Sequence, residues 1–389
     1  MINSNKTNKY LFLVNITIVI TVLSQIETIR SVIRPVMYGL WVLLLVIALI
    51  KSRGQSISTD VFKYSAIYIL FVLFCLFSTI ISTNHMNSNF IRVLMIPLLV
   101  SVVASVGLKD IKVKEFVRMS KIYVLTALLF GIFIHISYFP SISNWLASRM
   151  YVFIEKNSAA QIWCVAIILI FYVIIPNVKN FKLIWYAILL YFLFLCGLSQ
   201  CRTALLAIII VALYYVIKSP ASNKIKILLL LVIVGAGLLN LPAAQPFVRH
   251  ILLLDKYKVP NLDNMSSGRI GYYKIALANL AEHPLFGTGK YYVDCMYICA
   301  LVENGAIGFI IILSFWIKRV IDNFRLNKRY NAVSSFRPNL IIAITLFYFV
   351  ESILEGYPPF GPGVSAFMFW LICNMSFSNM LTGEQNESN

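Results

Sequence analysis

Long apolar runs, separated by short segments that carry charge, Gly or Pro, recur from one end of the chain to the other. They fall near 10–26, 33–50, 62–83, 89–107, 119–138, 159–176, 181–198, 202–217, 225–243, 293–316, 338–354 and 362–378. A helix crosses hydrocarbon with about 20 apolar residues. The pattern therefore predicts one all-α polytopic membrane domain over 1–389, with about 12 transmembrane helices and both termini on the same side.

Two inter-run segments break the rhythm of short connections. The first, 139–158, holds Arg149, Glu155 and Lys156; the second, 244–292, lies between the ninth and tenth runs and holds Arg249, His250, Asp255, Asp263, Arg269, His283 and Lys290. A connection as long as the second is functional or unstructured. From 268 to 281 its apolar positions recur at helical spacing, which predicts an amphipathic helix lying on the membrane face and hence a structured loop.

Composition agrees with a lipid solvent. Apolar residues make up 60% and charged residues 12% of the chain, against about 45–50% and 25% in soluble domains. A net charge of +18 would suggest nucleic acid for a soluble protein, but 21 of the 33 Lys and Arg residues sit in the segments on the N-terminal side of the runs. They read as topology signals that place both termini in the cytoplasm, and no nucleic-acid partner is expected. The first run follows Lys6 and Lys9 as a signal peptide would, yet no A-x-A site follows it, so it is expected to be retained.

Most motif candidates dissolve on inspection. Gly287-Thr288-Gly289-Lys290 has Tyr291 where a phosphate loop needs Ser or Thr, and Pro284 where its first Gly belongs, so it reads as a turn. Gly235-Ala236-Gly237 reads as close helix packing. Seven cysteines, an odd count, and four scattered histidines lack metal-ligand spacing, so neither metal nor cofactor is expected.

Charges at the ends of apolar runs say more. Arg202 opens the eighth run, where it could snorkel to lipid headgroups or donate a fork of hydrogen bonds to a phosphate. Glu351 and Glu355 stand one helical turn apart at the end of the eleventh run, placed to bind a sugar or a cation or to mark the interface. Asp294 borders the long loop, and Glu303 lies about 13 Å deeper on the opposite face of the same run.

Cys201-Arg202-Thr203-Ala204-Leu205-Leu206 resembles the "SRTALL" element of the O-antigen polymerase and ligase superfamily. Gly268-Arg269-Ile270-Gly271-Tyr272-Tyr273, His283 to Gly289 and Glu303-Asn304-Gly305-Ala306-Ile307-Gly308 are similar to the rest of its pattern. The resemblance covers about 195–310. It implies activity at the periplasmic face of the bacterial inner membrane on glycans linked to undecaprenyl diphosphate, with membrane lipid around it and a chain-length regulator and a flippase as possible partners. Ligases of the superfamily carry a His seven residues before the Gly of their Glu-x-Gly element; Ile298 stands there, which favours the O-antigen polymerase (Wzy) family.

The mechanism expected from this resemblance is a glycosyl transfer in which arginines face the diphosphate leaving group. Arg202 and Arg269 match the superfamily's two arginines, and Asp294 is the candidate base for the acceptor hydroxyl. Arg149, Arg249, Tyr273, Lys290, Glu351 and Glu355 complete the substrate-binding candidates. Tyr272, Tyr291 and Tyr292 could stack on sugar rings or belong to an interfacial aromatic belt. The rivals are an O-antigen ligase and, in another class, a transporter or flippase for lipid-linked sugars. A transporter would place polar groups along a path through the membrane, whereas here nearly all ionisable residues stand at the ends of the runs.

Overall fold

A computed structural model describes residues 2–52, 59–82, 88–108, 111–138, 156–199, 201–218, 266, 268–289, 291–330, 339–361 and 364–375. The ninth run (225–243), Gly235 to Gly237, most of the 139–158 and 244–292 segments, Arg149, Arg249 and Lys290 lie outside the described residues.

The described residues form helices and contain no strand. The helices are α1 (Ile2–Leu23), α2 (Glu27–Ser52), α3 (Thr59–Ser82), α4 (Ser88–Val102), α5 (Val113–Tyr138), α6 (Lys156–Leu169), α7 (Lys182–Leu198), α8 (Arg202–Lys218), α9 (Arg269–Glu282), α10 (Met296–Tyr330), α11 (Leu340–Leu354) and α12 (Val364–Asn374). π-helical turns at Val103–Gly107 and Ile170–Ile174 extend α4 and α6. Among the described residues six spans are long and apolar enough to cross a membrane, and Lys9–Leu23, Lys182–Leu198 and Leu340–Leu354 are shorter apolar helices. The chain is thus a multi-pass membrane protein.

The core is built on α6 and α12. The span Asn157–Asn177 is 89% buried, and Ala366 to Cys373 are buried throughout. Helix α12 packs on α4 and α6, α11 lies along α8 and α10, and α1 lies between α2 and α5. At the periphery, α3 turns Ile69, Leu73, Leu76 and Ile80 outward in one stripe. A soluble helix would put polar residues there; apolar residues on the outer face as well as the inner one suit hydrocarbon on the outside.

Helix α10 departs from the expected 293–316 at both ends. It starts at Met296, leaving Asp294 in the preceding bend, and it runs on through Lys318 to Tyr330. The charged stretch is helical because other spans satisfy it. Tyr64 Oη donates to Asp322 Oδ2 at 2.8 Å, Arg319 Nη1 to Asn374 Oδ1 at 2.7 Å, and Asn323 Nδ2 to Thr345 Oγ1 at 2.9 Å. Polar side chains are tolerated between membrane helices when they find partners on neighbouring helices, as these do, although Arg319 Nε and Asn323 Oδ1 are buried without one.

The same helix is broken at Gly305, whose φ of 64° and ψ of −175° are not helical. The freed backbone groups are taken up by the turn after α9. Thr288 N and Gly289 N donate to Val302 O and Glu303 O at 2.9 and 3.1 Å, and Ala306 N and Ile307 N donate to Pro284 O and Leu285 O at 2.9 and 3.4 Å. The fit leaves no room for side chains: a Cβ on Gly305 would stand 2.3 Å from the Leu285 carbonyl, and one on Gly287 would stand 2.4 Å from Gly305 N. A backbone break deep in a membrane protein is stable only when its polar groups are satisfied in this way.

Candidate functional site

The inserted turn fixes the 291–295 segment and α9 against the ends of three other helices. Helix α9 follows Gly268, which has a φ of 83°, and starts at Arg269. A cation at a helix N-terminus opposes the macrodipole, and here two carboxylates offset that. Arg269 Nε donates to Asp294 Oδ2 at 3.2 Å and Arg269 Nη2 to Glu355 Oε1 at 3.2 Å. Tyr273, one turn along α9, donates its hydroxyl to the Asp294 carbonyl at 2.5 Å, tying the helix to the segment that carries the acid.

Glu355 sits where α11 ends and faces the first turns of α6 and α8. Asn157 Nδ2 donates to its Oε1 at 2.9 Å, and Thr203 Oγ1 reaches the same oxygen at 3.5 Å. One turn earlier, Gln161 Nε2 donates to Glu351 Oε2 at 2.8 Å, while Glu351 Oε1 is buried without a hydrogen-bond partner. Cys201 Sγ contacts Asn157 Oδ1 at 3.4 Å. Arg202 is partly buried and stands between Cys201 and Thr203, both of which touch the cluster, so it borders the same site.

Access differs sharply among the acids. Side-chain exposure is 36% for Asp294 and 8% for Glu355, and Glu351 is 1% exposed. Burial, and then the neighbouring Asp294 charge, push Glu355 up to about 7 against the pull of Arg269. Burial likewise raises the Tyr273 phenol to about 12. Burial works against the Arg269 charge, and Glu355 and Asp294 more than restore it. A bidentate cation held between an accessible and a buried carboxylate can exchange those partners for a phosphate without new positioning.

Glu303 belongs to a neighbouring group. Its Oε1 accepts from Tyr291 N at 3.4 Å and from the Tyr357 hydroxyl at 3.5 Å, and the Tyr357 ring lies 5.4 Å from that of Tyr292. Tyr292 stands close enough to Asp294 for the acid's charge to act on its phenol. Among the described residues no three His, Cys, Asp or Glu side chains could hold a metal ion.

Residues 187–313 match the Wzy_C family, described as O-antigen ligase. The match supports the superfamily and a glycan-processing role in a membrane. No curated protein matches the chain. The matched stretch contains Arg202, Arg269, Asp294 and the Gly305 break, whereas Asn157, Gln161, Glu351 and Glu355 lie outside it. Asn157 and Gln161 are the polar members that sequence reasoning passed over. Their signal was two amide side chains four residues apart at the start of an otherwise apolar run, hence on one helical face.

Proposed function

We propose that this protein is an O-antigen polymerase of the bacterial inner membrane, with both termini in the cytoplasm, that joins repeat units carried on undecaprenyl diphosphate at the periplasmic face. The observation that carries the reading is Arg269 held in the fork between Asp294 and Glu355, beside the Arg202 helix start. The donor's diphosphate takes the guanidinium from the carboxylates. Asp294, the most exposed acid of the cluster, then accepts the proton of the acceptor sugar hydroxyl. That hydroxyl oxygen bonds to the anomeric carbon as the bond from that carbon to the diphosphate oxygen breaks, and the electron pair leaves with the diphosphate. Arg269 and Arg202 stabilise the charge of the leaving group in a low-dielectric site. Arg149, Arg249 and Lys290, in the loops that flank the cluster in sequence, belong to the glycan-binding side of this reading. A chain-length regulator and a flippase would act before and beside it.

The ligase is the second reading, favoured by the description of the matched family; Ile298 in place of the expected His weighs against it. The test is deletion of the gene in a Gram-negative producer, followed by gels of its lipopolysaccharide. Complementation uses the wild type, Arg202→Ala, Arg269→Ala, Arg269→Lys and Asp294→Ala at equal membrane levels. Core plus one repeat unit is expected in the deletion strain, and a loss of polymer of at least a hundredfold is expected for Arg269→Ala. Core alone, with polymer accumulating on the lipid carrier, would mean ligase. An unchanged ladder would point to a transporter or to another glycan.

A further inference from the structure

On the far side of Tyr357 two helices carry the same register. Arg34, Met37, Tyr38 and Trp41 stand at i, i+3, i+4 and i+7 of α2, and Arg92, Met95, Ile96 and Leu99 repeat the spacing on α4. These eight side chains line one cavity of about 120 Å³, closed by Thr21 of α1, by Gln25 in the turn that follows it and by Phe367 of α12. Thr21 is fixed there by the indole of Trp41, which donates to its hydroxyl at 3.1 Å.

The cavity is cationic at one end and apolar along its length. Both arginines stand near the N-terminal ends of their helices, and Leu99 lies about 10 Å further along the axis than Arg92. No carboxylate is among the described residues that line it. The volume is well under the roughly 300 Å³ of the smaller ligand pockets, which suits a phosphate head and the first carbons of a chain rather than an oligosaccharide.

The cavity adjoins the Arg269 cluster. The Phe90 ring packs 5.6 Å from the Tyr357 ring, and the Arg92 charge acts on the Tyr357 phenol. Tyr357 packs on Tyr292, whose phenol feels the Asp294 charge. Two phenols therefore separate the two arginine-bearing sites.

We propose that Arg34 and Arg92 hold the phosphate head of a second polyprenyl lipid, whose first isoprene units lie along the Met95 to Leu99 stripe. That this lipid is a reactant rests on the glycosyl-transfer reading, whereas its binding does not. A guanidinium on each of two facing helices favours a terminal phosphate or diphosphate over a singly charged phosphodiester.

The test measures binding of undecaprenyl phosphate to the full-length protein in detergent by native mass spectrometry. The Arg202→Ala, Arg269→Ala double variant is used as the background so that neither arginine of the catalytic cluster contributes. Saturable binding is expected, weakened at least tenfold by Arg34→Gln with Arg92→Gln and likewise by Met95→Glu, each checked for an unchanged gel-filtration profile. Inorganic diphosphate and phosphatidylglycerol are expected to compete at least tenfold less well than the polyprenyl lipid. Wild-type affinity in both variants overturns the proposal, as does equal competition by diphosphate, which would indicate a plain anion site, or by phosphatidylglycerol, which would indicate a bulk-lipid site. If the glycan ladder needs Arg269 while binding ignores Arg34, Arg92 and Met95, this proposal falls alone. If the ladder survives Arg269→Ala, the polymerase reading falls and the lipid site is judged on binding.

Discussion

Gly305→Ala is expected to loosen the joint on which the candidate site rests. Gly305 has φ 64° and ψ −175°, a region that is essentially glycine-only and costs a side-chain-bearing residue roughly 1–3 kcal/mol. The added methyl also meets main chain rather than a side chain that can swing away: the Leu285 carbonyl carbon and oxygen at 2.3 Å and Phe286 N at 2.5 Å. The 284–289 turn must therefore retreat, which puts at risk the four main-chain hydrogen bonds across the break, each contributing about 1 kcal/mol. Strain plus the loss of half of those bonds gives a destabilisation of about 4 kcal/mol.

The assay heats detergent-solubilised protein and follows the monodisperse fraction by gel filtration, with glycan polymerisation measured in parallel. Gly305→Ala is expected to lower the apparent Tm by several degrees and to abolish polymer, because the retreating turn carries the 291–295 segment and Asp294 with it. Gly39→Ala is the control: it lies in α2 with nothing within 4 Å of the added Cβ, and it should leave Tm unchanged or slightly raised. A Gly305→Ala protein that melts and polymerises like the wild type would refute the inserted-turn architecture.

Two further outcomes follow from the buried charges. Glu355 has its carboxyl raised from 4.5 to about 7, so folding favours its protonated form; that stabilisation is complete below about 4.5 and is lost as pH rises through about 7, an effect of up to about 3 kcal/mol. Glu351, Asp294, Arg269, Tyr273, Tyr292 and Cys201 are ionisable groups around it, and Glu355→Gln should flatten the fall in Tm between pH 4.5 and 8; an unaltered pH profile would assign the fall to another group. Arg319 is 2% exposed and donates to Asn374 at 2.7 Å, so Arg319→Met should cost about 1 kcal/mol by leaving a half-buried amide oxygen without its charged donor, read as a lower Tm with activity per folded molecule preserved.

Local pattern carried the helices but not all of their ends. The 3.6-residue spacing over 268–281 predicts a helix that the structure places at Arg269–Glu282, since an amphipathic period needs no distant partner to be recognised. The end of α10 behaves otherwise. Lys318, Arg319, Asp322 and Asn323 read as a polar connection because hydropathy scores each residue in isolation; they are helical because Tyr64, Asn374 and Thr345 arrive from three other helices. Long-range pairing of this sort leaves no trace in a sliding window.

The cluster divides along the same line. The facing of Glu351 and Glu355 was legible from their i, i+4 spacing, and the Pro284 to Gly289 and Glu303 to Gly305 elements were legible as separate motifs. Their relation was not, because it is a backbone exchange: a Cβ on Gly287 would meet Gly305 N at 2.4 Å and one on Gly305 would meet the Leu285 carbonyl at 2.3 Å, and only the fold brings the two segments that close. The same holds for Arg269, which meets a carboxylate 86 positions away. The family-like stretch supplies the cations and the accessible acid, while α6 and α11 outside it supply the buried carboxylates and the amides that orient them. A guanidinium at the start of α9 has no fixed direction of its own. It acquires one only because Glu355 is locked in turn by Asn157 and Thr203, so the geometry that would make Arg269 an effective phosphate binder is set by helices that the motifs do not contain.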